Sequence, residues 1–277
     1  MRTIRINEKG QAVAPKTMAM DQTVFQAQDH TTIYWMGSAS MLINSRQTNV
    51  MIDPLLEGFD MPLLIEMPIT PDQVPHLDGV LITHIDNDHF SQPTCRDLAP
   101  VTDAYHAPHY VASQMKALLG IDGIGHDIGE SFCLGNMEIT LTPALHNWQN
   151  GSKKYQYREW KQEDYCGYWI KTPDGTIWLP GDSKLLDAHL NMPEPDVILF
   201  DFADNDWHIT LEGAILLANT YPNSDLVCIH WGSVDAPEMT PFNGNPENLY
   251  QRVTHPERIQ VLAPGEAFTL KRKTNHD

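Results

Sequence analysis

The sequence predicts an α+β fold in which two β-sheets pack together and helices cover their outer faces. Short β-type runs dominate the first third of the 277 residues, and a strong hairpin lies beyond the middle. In the last third, apolar strands alternate with a helix. Both halves of the chain therefore contain strands and helices, which suits two packed layers of sheet with helices outside. The chain shows no internal repeat and no low-complexity linker.

An arm and a meander are predicted for the N-terminal part. Residues 1–28 are polar and poorly periodic, so we expect an arm or a loosely attached strand there. Residues 29–277 are assigned to a single domain. Three short β-type runs open this domain, at 31–36, 40–44 and 49–54. Because only a glycine and a polar turn separate them, they are typical of an antiparallel meander.

The middle of the chain is predicted to contain two strands and a helix. The apolar run 78–83 has strand character and ends abruptly at His84. Residues 108–120 form a helical pattern that opens on a proline and closes on a glycine, as helices often do. Residues 136–145 alternate in hydrophobicity as a strand does, up to His146.

The last third begins with the hairpin predicted over 167–182, in which two β-rich runs flank a Pro-Asp-Gly turn. Fully apolar runs at 196–200 and 225–229 are typical of buried strands. Between them, residues 209–221 carry an apolar stripe with helical spacing. Two further short strands are expected within 258–270.

Composition limits the classes of partner. The formal net charge is −18, and such an acidic surface repels phosphate backbones and anionic lipid. We therefore expect no nucleic-acid and no membrane partner. A small anionic substrate remains compatible, because bound metal ions can reverse the sign of the charge locally.

Compartment is also indicated by the sequence. No run approaches the roughly 18 apolar residues that a membrane helix needs, and the N-terminal segment lacks the apolar core of a secretory signal. The four cysteines form no CxxC pair. We therefore expect a cytoplasmic protein without a disulfide framework.

A cluster of metal-capable side chains follows the strand at 78–83. Four of the six residues from 84 to 89 are His or Asp, namely His84, Asp86, Asp88 and His89. Imidazole and carboxylate together suit zinc, manganese or iron. Alone, the hexapeptide also fits an acidic, solvated turn.

Three more candidate ligands stand at the ends of predicted strands: His146, Asp182 and His230. A single histidine after a strand is more often structural than ligating. Four strand ends that each deliver a His or an Asp are hard to reach by chance, and strand ends from one sheet edge converge in space. We therefore expect one shared metal site.

The pattern THxDxDH, a lone His, GDS and a second lone His resembles the metallo-β-lactamase superfamily, whose usual signature is HxHxDH with a downstream His, a bridging Asp and a last His. Asp53 matches the early structural aspartate of that family. The resemblance covers residues from about 31 to 268 and implies a four-layer αββα sandwich of two mixed sheets. The opening YWMGSASMLI…NVMIDP, LPGDS and HWG look most like the cytoplasmic branch that includes L-ascorbate phosphate lactonase.

The resemblance also implies two divalent metal ions held by seven ligands. The first group is His84, Asp86 and His146, the second is Asp88, His89 and His230, and Asp182 bridges the two. The departure is Asp86, where most of the family has histidine. A hard carboxylate there shifts the preference from zinc toward manganese or iron, and it could leave the first site partly empty.

Such a metal pair predicts hydrolysis, because it lowers the pKa of a bridging water and supplies a hydroxide that attacks an ester-like bond. Asp88, Asp182 and His208 are the candidate catalytic residues. Asp88 would relay a proton to the leaving group, and His208 would donate a hydrogen bond to the reacting oxygen. For His208, a packing role at the helix entry is an equal alternative.

Substrate contacts are expected from the aromatic and basic segment after His146. The candidates in this segment are Lys153, Lys154, Tyr155 and Arg158, and Lys184, two residues after Asp182, is a further candidate. They would suit a phosphate or a carboxylate, and ordinary exposed charges are the competing interpretation. The favoured substrate is a lactone, for instance of a phosphorylated sugar acid, or another small carboxylic ester.

Two other functions remain open from the sequence. A phosphodiesterase or phospholipase would use the same dinuclear site, and an apolar groove would favour it. A non-catalytic metal sensor would retain the ligands without turnover. We also expect a homo-oligomer, in which the N-terminal arm could build an interface.

Overall fold

The computed structural model describes residues 2–273, and its strands lie in two seven-stranded sheets and one short hairpin. The strands are β1 (Arg5–Ile6), β2 (Ala12–Val13), β3 (Thr31–Gly37), β4 (Ser40–Ser45), β5 (Thr48–Ile52), β6 (Gly79–Leu81), β7 (Tyr105–Pro108), β8 (Ile124–His126), β9 (Ser131–Leu134), β10 (Met137–Pro143), β11 (Cys166–Thr172), β12 (Gly175–Leu179), β13 (Val197–Phe200), β14 (Asp225–Cys228), β15 (Ile259–Gln260) and β16 (Ala267–Thr269). The α-helices are α1 (Gln92–Leu98), α2 (His109–Leu119) and α3 (Leu211–Thr220).

The two sheets have matching topologies. The first has the order β16-β3-β4-β5-β6-β7-β8, and the second has the order β15-β14-β13-β12-β11-β10-β9. In the first, β16 to β5 pair antiparallel and β5 to β8 pair parallel. In the second, β9 to β12 pair antiparallel and β12 to β15 pair parallel. Both sheets are therefore mixed, and the predicted α+β fold with two packed mixed sheets is confirmed.

The hydrophobic core fills the space between the sheets. The main core cluster joins β3 to β5 of the first sheet with β10 to β14 of the second, and it includes the stacked rings of Trp35 and Trp231, 5.9 Å apart. A second cluster lies where α1 and α2 pack against the first sheet, around Cys95 and Met115. Burial of these apolar side chains is the main stabilising contribution to the fold.

The N-terminal segment packs on its own chain. Ile4, just before β1, and Ala12 of β2 belong to the main core cluster, and Phe25 is buried in the second cluster. Backbone hydrogen bonds hold the segment down, from Ala14 N to the Gly232 carbonyl (2.9 Å) among others. Within residues 2–273, no helix has both the length and the apolar character that crossing a membrane requires.

Sequence patterns located most of the elements. The meander is present as β3–β4–β5, the hairpin as β11–β12, and the two predicted helices as α2 and α3. Thr210 caps α3, since its side chain accepts a hydrogen bond from Gly213 N. Helix α1 and strands β7, β8 and β9 were not predicted.

Candidate metal centre

Strand ends deliver the predicted ligands to one place. The segment 84–89 follows β6 in the first sheet, whereas the other three ligands follow β10, β12 and β14 in the second. The last three strands run in the same direction, because β10 and β12 are both antiparallel to β11, and β12 to β14 are parallel. Their carboxyl ends therefore share one edge, which is where open α/β sheets bind ligands.

The structure brings all seven predicted ligands together. Ligand atoms within 4.8 Å of one another define a first group of His84, Asp86 and His146 and a second group of Asp88, His89 and His230. Asp182 joins His84 and His89 in one such set and His146 and His208 in another. Asp182 thus lies between the two groups. Apart from the partly buried Asp86, these side chains are buried.

The spacing of the donor atoms fits first-row metal ions. Bonds of about 2.0–2.1 Å in a tetrahedral site place the ligand atoms about 3.3–3.4 Å from one another. In the first group, Asp86 Oδ2 lies 3.3 Å from His84 Nε2 and 3.4 Å from His146 Nε2. These side chains are therefore spaced as the ligands of one ion.

The second group shows the same spacing. Asp88 Oδ2 lies 3.3 Å from His230 Nε2 and 3.5 Å from His89 Nε2. Asp182 Oδ2 lies 3.3 Å from His230 Nε2 and 3.1 Å from His89 Nε2. This group therefore also has the spacing of a single coordination shell.

One buried nitrogen of the first group makes no hydrogen bond. His84 Nε2 is fully buried, and within the described residues its 3.3 Å approach to Asp86 Oδ2 lacks hydrogen-bond geometry. An unpaired buried nitrogen costs free energy, and a metal ion among the first group would satisfy it. The spacing and this unpaired nitrogen together show that the residues present fit a metal centre.

The far side of each histidine ring is held by an oxygen atom. Nδ1 of His89 lies 2.8 Å from Asp53 Oδ2, and Nδ1 of His146 lies 2.8 Å from the carbonyl of Trp207. Nδ1 of His230 lies 3.1 Å from the carbonyl of Pro241, and Nδ1 of His84 lies 3.0 Å from Thr83 Oγ1. Such contacts fix the ring so that Nε2 faces the site, which is how metal-binding histidines are usually oriented.

Asp53 ties two strand ends to the site. Its carboxylate accepts hydrogen bonds from Thr83 N (2.7 Å) and Thr83 Oγ1 (2.6 Å) in addition to its contact with His89. Its own backbone has a φ of 44°, a strained conformation for a non-glycine residue. Strain of this kind persists only where the surroundings hold it, as they do at functional sites.

Asp86, the departure from the family pattern, has its own set of donors. Trp148 Nε1 donates to Asp86 Oδ2 (2.7 Å), and Gln149 Nε2 donates to Asp86 Oδ1 (2.7 Å). Gln149 is completely buried, and its Oε1 accepts a hydrogen bond from Tyr165 OH (2.7 Å). The chain is therefore built to hold a carboxylate at this position, rather than merely tolerating one.

In the metal-free protein, the aspartates and histidines of the cluster stabilise each other's charged forms. Burial alone would raise the pKa of Asp182, but His230, His89 and His208 outweigh it and hold that pKa well below its usual range. Burial lowers the pKa of His230, yet Asp182 and Asp88 raise it to about 9. The carboxylates are therefore ionised at neutral pH, and His230 is protonated until a metal replaces its proton.

His208 stands beside the predicted ligands. Its Nδ1 lies 2.7 Å from Asp201 Oδ2, and its Nε2 lies 3.6 Å from Asp182 Oδ2. The side chain is buried but lines the cavity above the cluster. Asp201 thus orients the ring, and His208 Nε2 faces the reacting region.

A cavity of about 740 Å³ opens onto the cluster. Of the five predicted substrate contacts, Lys154 and Tyr155 line it, and Lys153, Arg158 and Lys184 do not. The guanidinium of Arg158 pairs with Asp164 at 2.8 Å. The ammonium of Lys184 lies over the ring of Trp207, 4.2 Å from its centroid. Most of the predicted cations are thus placed away from the cavity.

Sequence reasoning missed the side chains that orient the ligands. Gln149 and Tyr165 belong to no motif, and Thr83 opens the THxDxDH pattern but was assigned no role; the roles of all three depend on contacts between residues distant in sequence. The aromatic content of 147–165 was the one available signal, and Trp148 belongs to it.

Comparisons with known proteins agree with this geometry. The family model described as the Beta-lactamase superfamily domain matches residues 48–231, well over half of the chain. A metal-dependent hydrolase of Caldivirga maquilingensis is 25% identical over 243 residues, which cover 85% of this chain and 96% of that protein. One of Pyrococcus furiosus is 25% identical over 245 residues, which cover 86% and 99%.

Solved structures show the same fold. A metallo hydrolase from Ignicoccus hospitalis has a TM-score of 0.67 at 20% identity and covers 88% of this chain and 99% of its own. An isothiocyanate hydrolase from Delia radicum gut bacteria has a TM-score of 0.68 at 16% identity and covers 87% and 99%. With the matched family and the observed pair of mixed sheets, these likenesses lead to one assignment: the chain belongs to the metallo-β-lactamase superfamily.

Proposed function

We propose that this protein is a metal-dependent hydrolase with two divalent metal ions in its buried His and Asp cluster. The observation that carries the proposal is the presence of two ligand groups, each with the spacing of a coordination shell, on either side of Asp182. The names of the relatives from Caldivirga maquilingensis and Pyrococcus furiosus, both metal-dependent hydrolases, support it.

The first group would hold one ion and the second group the other, with Asp182 shared. Zinc, manganese and iron all suit these donors, and the carboxylate of Asp86 favours manganese or iron. When bound, such ions polarise the oxygen of an electrophile and activate water as a nucleophile.

The chain's own residues supply proton transfer and orientation. Asp88, ionised and in contact with His230 and His89, would carry a proton from the attacking water toward the leaving oxygen. His208, fixed by Asp201 through Nδ1, would present Nε2 to the same oxygen. The aromatic walls of the cavity would limit the access of bulk water.

For the reaction, we propose hydrolysis of a lactone or another small carboxylic ester. A phosphodiester is the second candidate substrate, because the same ions would act on it and the apolar cavity walls would accept a lipid-like group. A phosphorylated sugar lactone is less well supported, because Arg158 and Lys184, two of the cations expected to bind the phosphate, do not line the cavity. All four thiols are free and three are buried, which fits the proposed cytoplasmic location. Assembly into a homo-oligomer stays a prediction.

The test combines elemental analysis with a substrate screen. Protein purified without added metal should carry two ions per chain and hydrolyse at least one class among lactones, carboxylic esters, thioesters and phosphodiesters. Asp182→Ala should lose activity even with metal in excess. A native rate in that variant would contradict the scheme. Tight metal binding without turnover across the whole screen would instead favour a sensor.

A further inference from the structure

The cavity above the metal centre has aromatic walls. Trp148, Tyr155, Tyr157 and Trp160 line it on the side of the segment 148–160, and Phe242 lines it from the loop after β14. The rings contact one another edge to face: Trp148 and Tyr155 are 5.1 Å apart, and Tyr157 and Trp160 are 6.0 Å apart. Packed rings of this kind form a stable apolar surface against which a flat group can lie.

Basic side chains contribute little to this surface. Among the described residues, Lys154 is the one Lys or Arg that lines the cavity. It is exposed at the rim, and its ammonium lies 5.0 Å from the centroid of the Tyr155 ring. Arg158 lies behind the wall instead, over the ring of Tyr110 at 3.7 Å and paired with Asp164.

The charges of a loaded site also nearly cancel. Two divalent ions bring four positive charges, and the carboxylates of Asp86, Asp88 and Asp182 offset three of them. Asp60 and Lys154, which both line the cavity, carry opposite charges, and the carboxylates of Asp53 and Asp201, in contact with His89 and His208, more than offset the remaining positive charge. The loaded cavity therefore has no strong positive field. Binding sites for anionic substrates usually depend on such a field.

We propose, resting on the hydrolase function above, that the cavity selects an uncharged substrate that carries a planar apolar group beside the scissile bond. Trp148 fixes where that group lies. Its Nε1 donates to Asp86 Oδ2 at 2.7 Å, so its ring stands directly beside the first ligand group. A flat group that packs against the surface formed by Trp148 and Tyr155 would place its neighbouring carbonyl next to the metal centre.

The first experiment compares three methyl esters with the holoenzyme. Methyl phenylacetate has the planar apolar group, methyl acetate lacks it, and methyl para-carboxyphenylacetate adds one negative charge far from the reacting carbon. Each kcat/KM is divided by the rate of alkaline hydrolysis of the same ester. We expect the phenyl ester to exceed both others by about tenfold or more, which corresponds to one buried aromatic group.

The second experiment measures binding without turnover. The probe is para-nitrobenzyl alcohol, which is flat, uncharged and not hydrolysable, and its binding is followed by quenching of tryptophan fluorescence. Tyr155→Ala should raise the Kd about 3- to 10-fold, since one aromatic contact is lost. The Kd of Tyr155→Leu, which keeps apolar volume, should lie between those of the wild type and Tyr155→Ala. Gln156→Ala is the matched control, because this exposed neighbour does not line the cavity.

The outcomes separate the two proposals. If the carboxylated ester is the best substrate, or if para-nitrobenzoate binds more tightly than the alcohol, the substrate class is wrong although the protein is still a hydrolase. If the alcohol binds as expected and no ester, lactone or phosphodiester is turned over, the hydrolase proposal fails and the binding preference stands. An unchanged Kd in Tyr155→Ala, with native metal content, would also overturn the substrate class.

Discussion

Asp86 shows how one changed ligand alters its surroundings. A carboxylate brings a full negative charge and two acceptor oxygens to a position where the family signature has histidine. Each oxygen accepts a hydrogen bond, one from Trp148 and the other from Gln149. Burial raises the pKa of Asp86, but His146 and His84 outweigh burial and hold it well below its usual range. The aspartate is therefore ionised and oriented before any metal binds.

Replacement of Gln149 tests this orientation. Gln149→Leu keeps the volume but removes the donor to Asp86 and leaves Tyr165 OH without its acceptor. We expect the affinity of the first group for metal to fall about 10- to 100-fold, the usual effect of losing a residue that orients a ligand. Competition with a chromogenic chelator measures this affinity. The control is Gln162→Leu, since Gln162 is exposed in the same segment. Equal affinities in the two variants would rule the role out.

The individual metal ligands were the part of the site that could be predicted from the sequence. His84, His146 and His230 stand where apolar runs stop, and a strand end has one fixed direction, so their convergence follows from the pattern. The residues that orient them could not be found this way. Gln149 and Tyr165 lie sixteen positions apart, and their hydrogen bond depends on the loop between them. No local pattern encodes such a contact.

At the scale of elements, the turn after β12 decides where Asp182 stands. Gly181 has a φ of 76°, and a Cβ there would lie 2.6 Å from the carbonyl oxygen of Cys166 on β11. Ser183 Oγ accepts a hydrogen bond from Leu145 N (2.8 Å), which joins this turn to the residue before His146. The hairpin strand β11 and the end of β10 therefore fix the shared aspartate from two sides.

Gly181→Ala should disturb both stability and metal binding. The left-handed backbone and the close carbonyl together should cost about 3 kcal/mol in the free energy of unfolding. Displacement of Asp182 should weaken metal binding at least about tenfold. Denaturant unfolding and chelator competition measure the two effects.

Gly129→Ala separates backbone strain from the steric contact. Gly129 has a φ of 90° but no atom within 4 Å of its Cβ position. This control should cost only about 1 kcal/mol and leave metal affinity unchanged. If Gly181→Ala behaves like the control, Asp182 is not held by this turn.

Strands β7, β8 and β9 meet at a buried pair of histidines far from the ligands in sequence. His106 Nδ1 lies 2.9 Å from His126 Nε2, and the His106 ring stacks on Phe132, 4.1 Å away. Glu130 lies 2.9 Å from the other nitrogen of His126. Phe132 belongs to the second sheet and the two histidines to the first, so this cluster joins the sheets at their edge.

Acid should weaken this contact. Burial and the neighbouring His126 lower the pKa of His106 to about 4, below its ordinary value of about 6.5. The unfolded chain therefore takes up a proton that the folded chain refuses, and stability falls as the pH drops from about 6.5 toward 4. In chelator-treated protein, His106→Gln should reduce the free energy of unfolding that is lost between pH 6.5 and 4. We expect a reduction of about 2 kcal/mol, allowing for partial solvent screening.

The matched control for His106→Gln is His76→Gln, because His76 is 52% exposed and pairs with an exposed Asp103. Chemical denaturation at several pH values gives both slopes. If His76→Gln changes the pH dependence of the unfolding free energy more than His106→Gln does, the buried pair does not control acid stability. The same follows if wild type and His106→Gln have equal slopes.

Element prediction succeeded where patterns were long and failed where they were short. Residues 31–52 and 166–179 carry sustained β-type runs with clear turns, and the meander and hairpin follow from them. Helix α1 has only seven residues, and a seven-residue segment holds too few turns to show a period. Strand β8 has three residues, of which one is glycine, and its place in the sheet comes from pairing with β7.

The whole molecule repeats one plan in two sheets, three antiparallel pairs followed by three parallel ones. This arrangement puts parallel strand ends of both sheets at one edge, and it explains why ligands from both halves meet there. The fold class was predictable because it depends on the order of elements along the chain. The seating of residues 2–28 depends instead on distant contacts, such as the bond between Met18 N and the Pro264 carbonyl (2.8 Å).

Metal should link the two halves of the molecule in a pH-dependent way. In the metal-free protein, Asp182 and Asp88 raise the pKa of His230 to about 9 despite the lowering effect of burial. A raised pKa stabilises the fold fully below about 6.5, the ordinary value, and this stabilisation is lost as the pH rises through 9. Metal must displace the proton, so metal affinity increases over the same range.

The difference in Tm between metal-loaded and chelator-treated protein should therefore widen between pH 6.5 and 9. We expect an increase of roughly 5 °C or more, because the metal-free protein loses this stabilisation as the pH rises, whereas the loaded protein, whose His230 carries no proton, does not. Differential scanning calorimetry at matched ionic strength measures it. His230→Gln should reduce the widening, and the part that remains should come from His89 and His146, whose pKa values are also raised despite burial. A constant difference would mean that His230 neither holds a proton in the metal-free cluster nor gives one up to metal, and the cluster of ion pairs between the two sheets would then need another explanation.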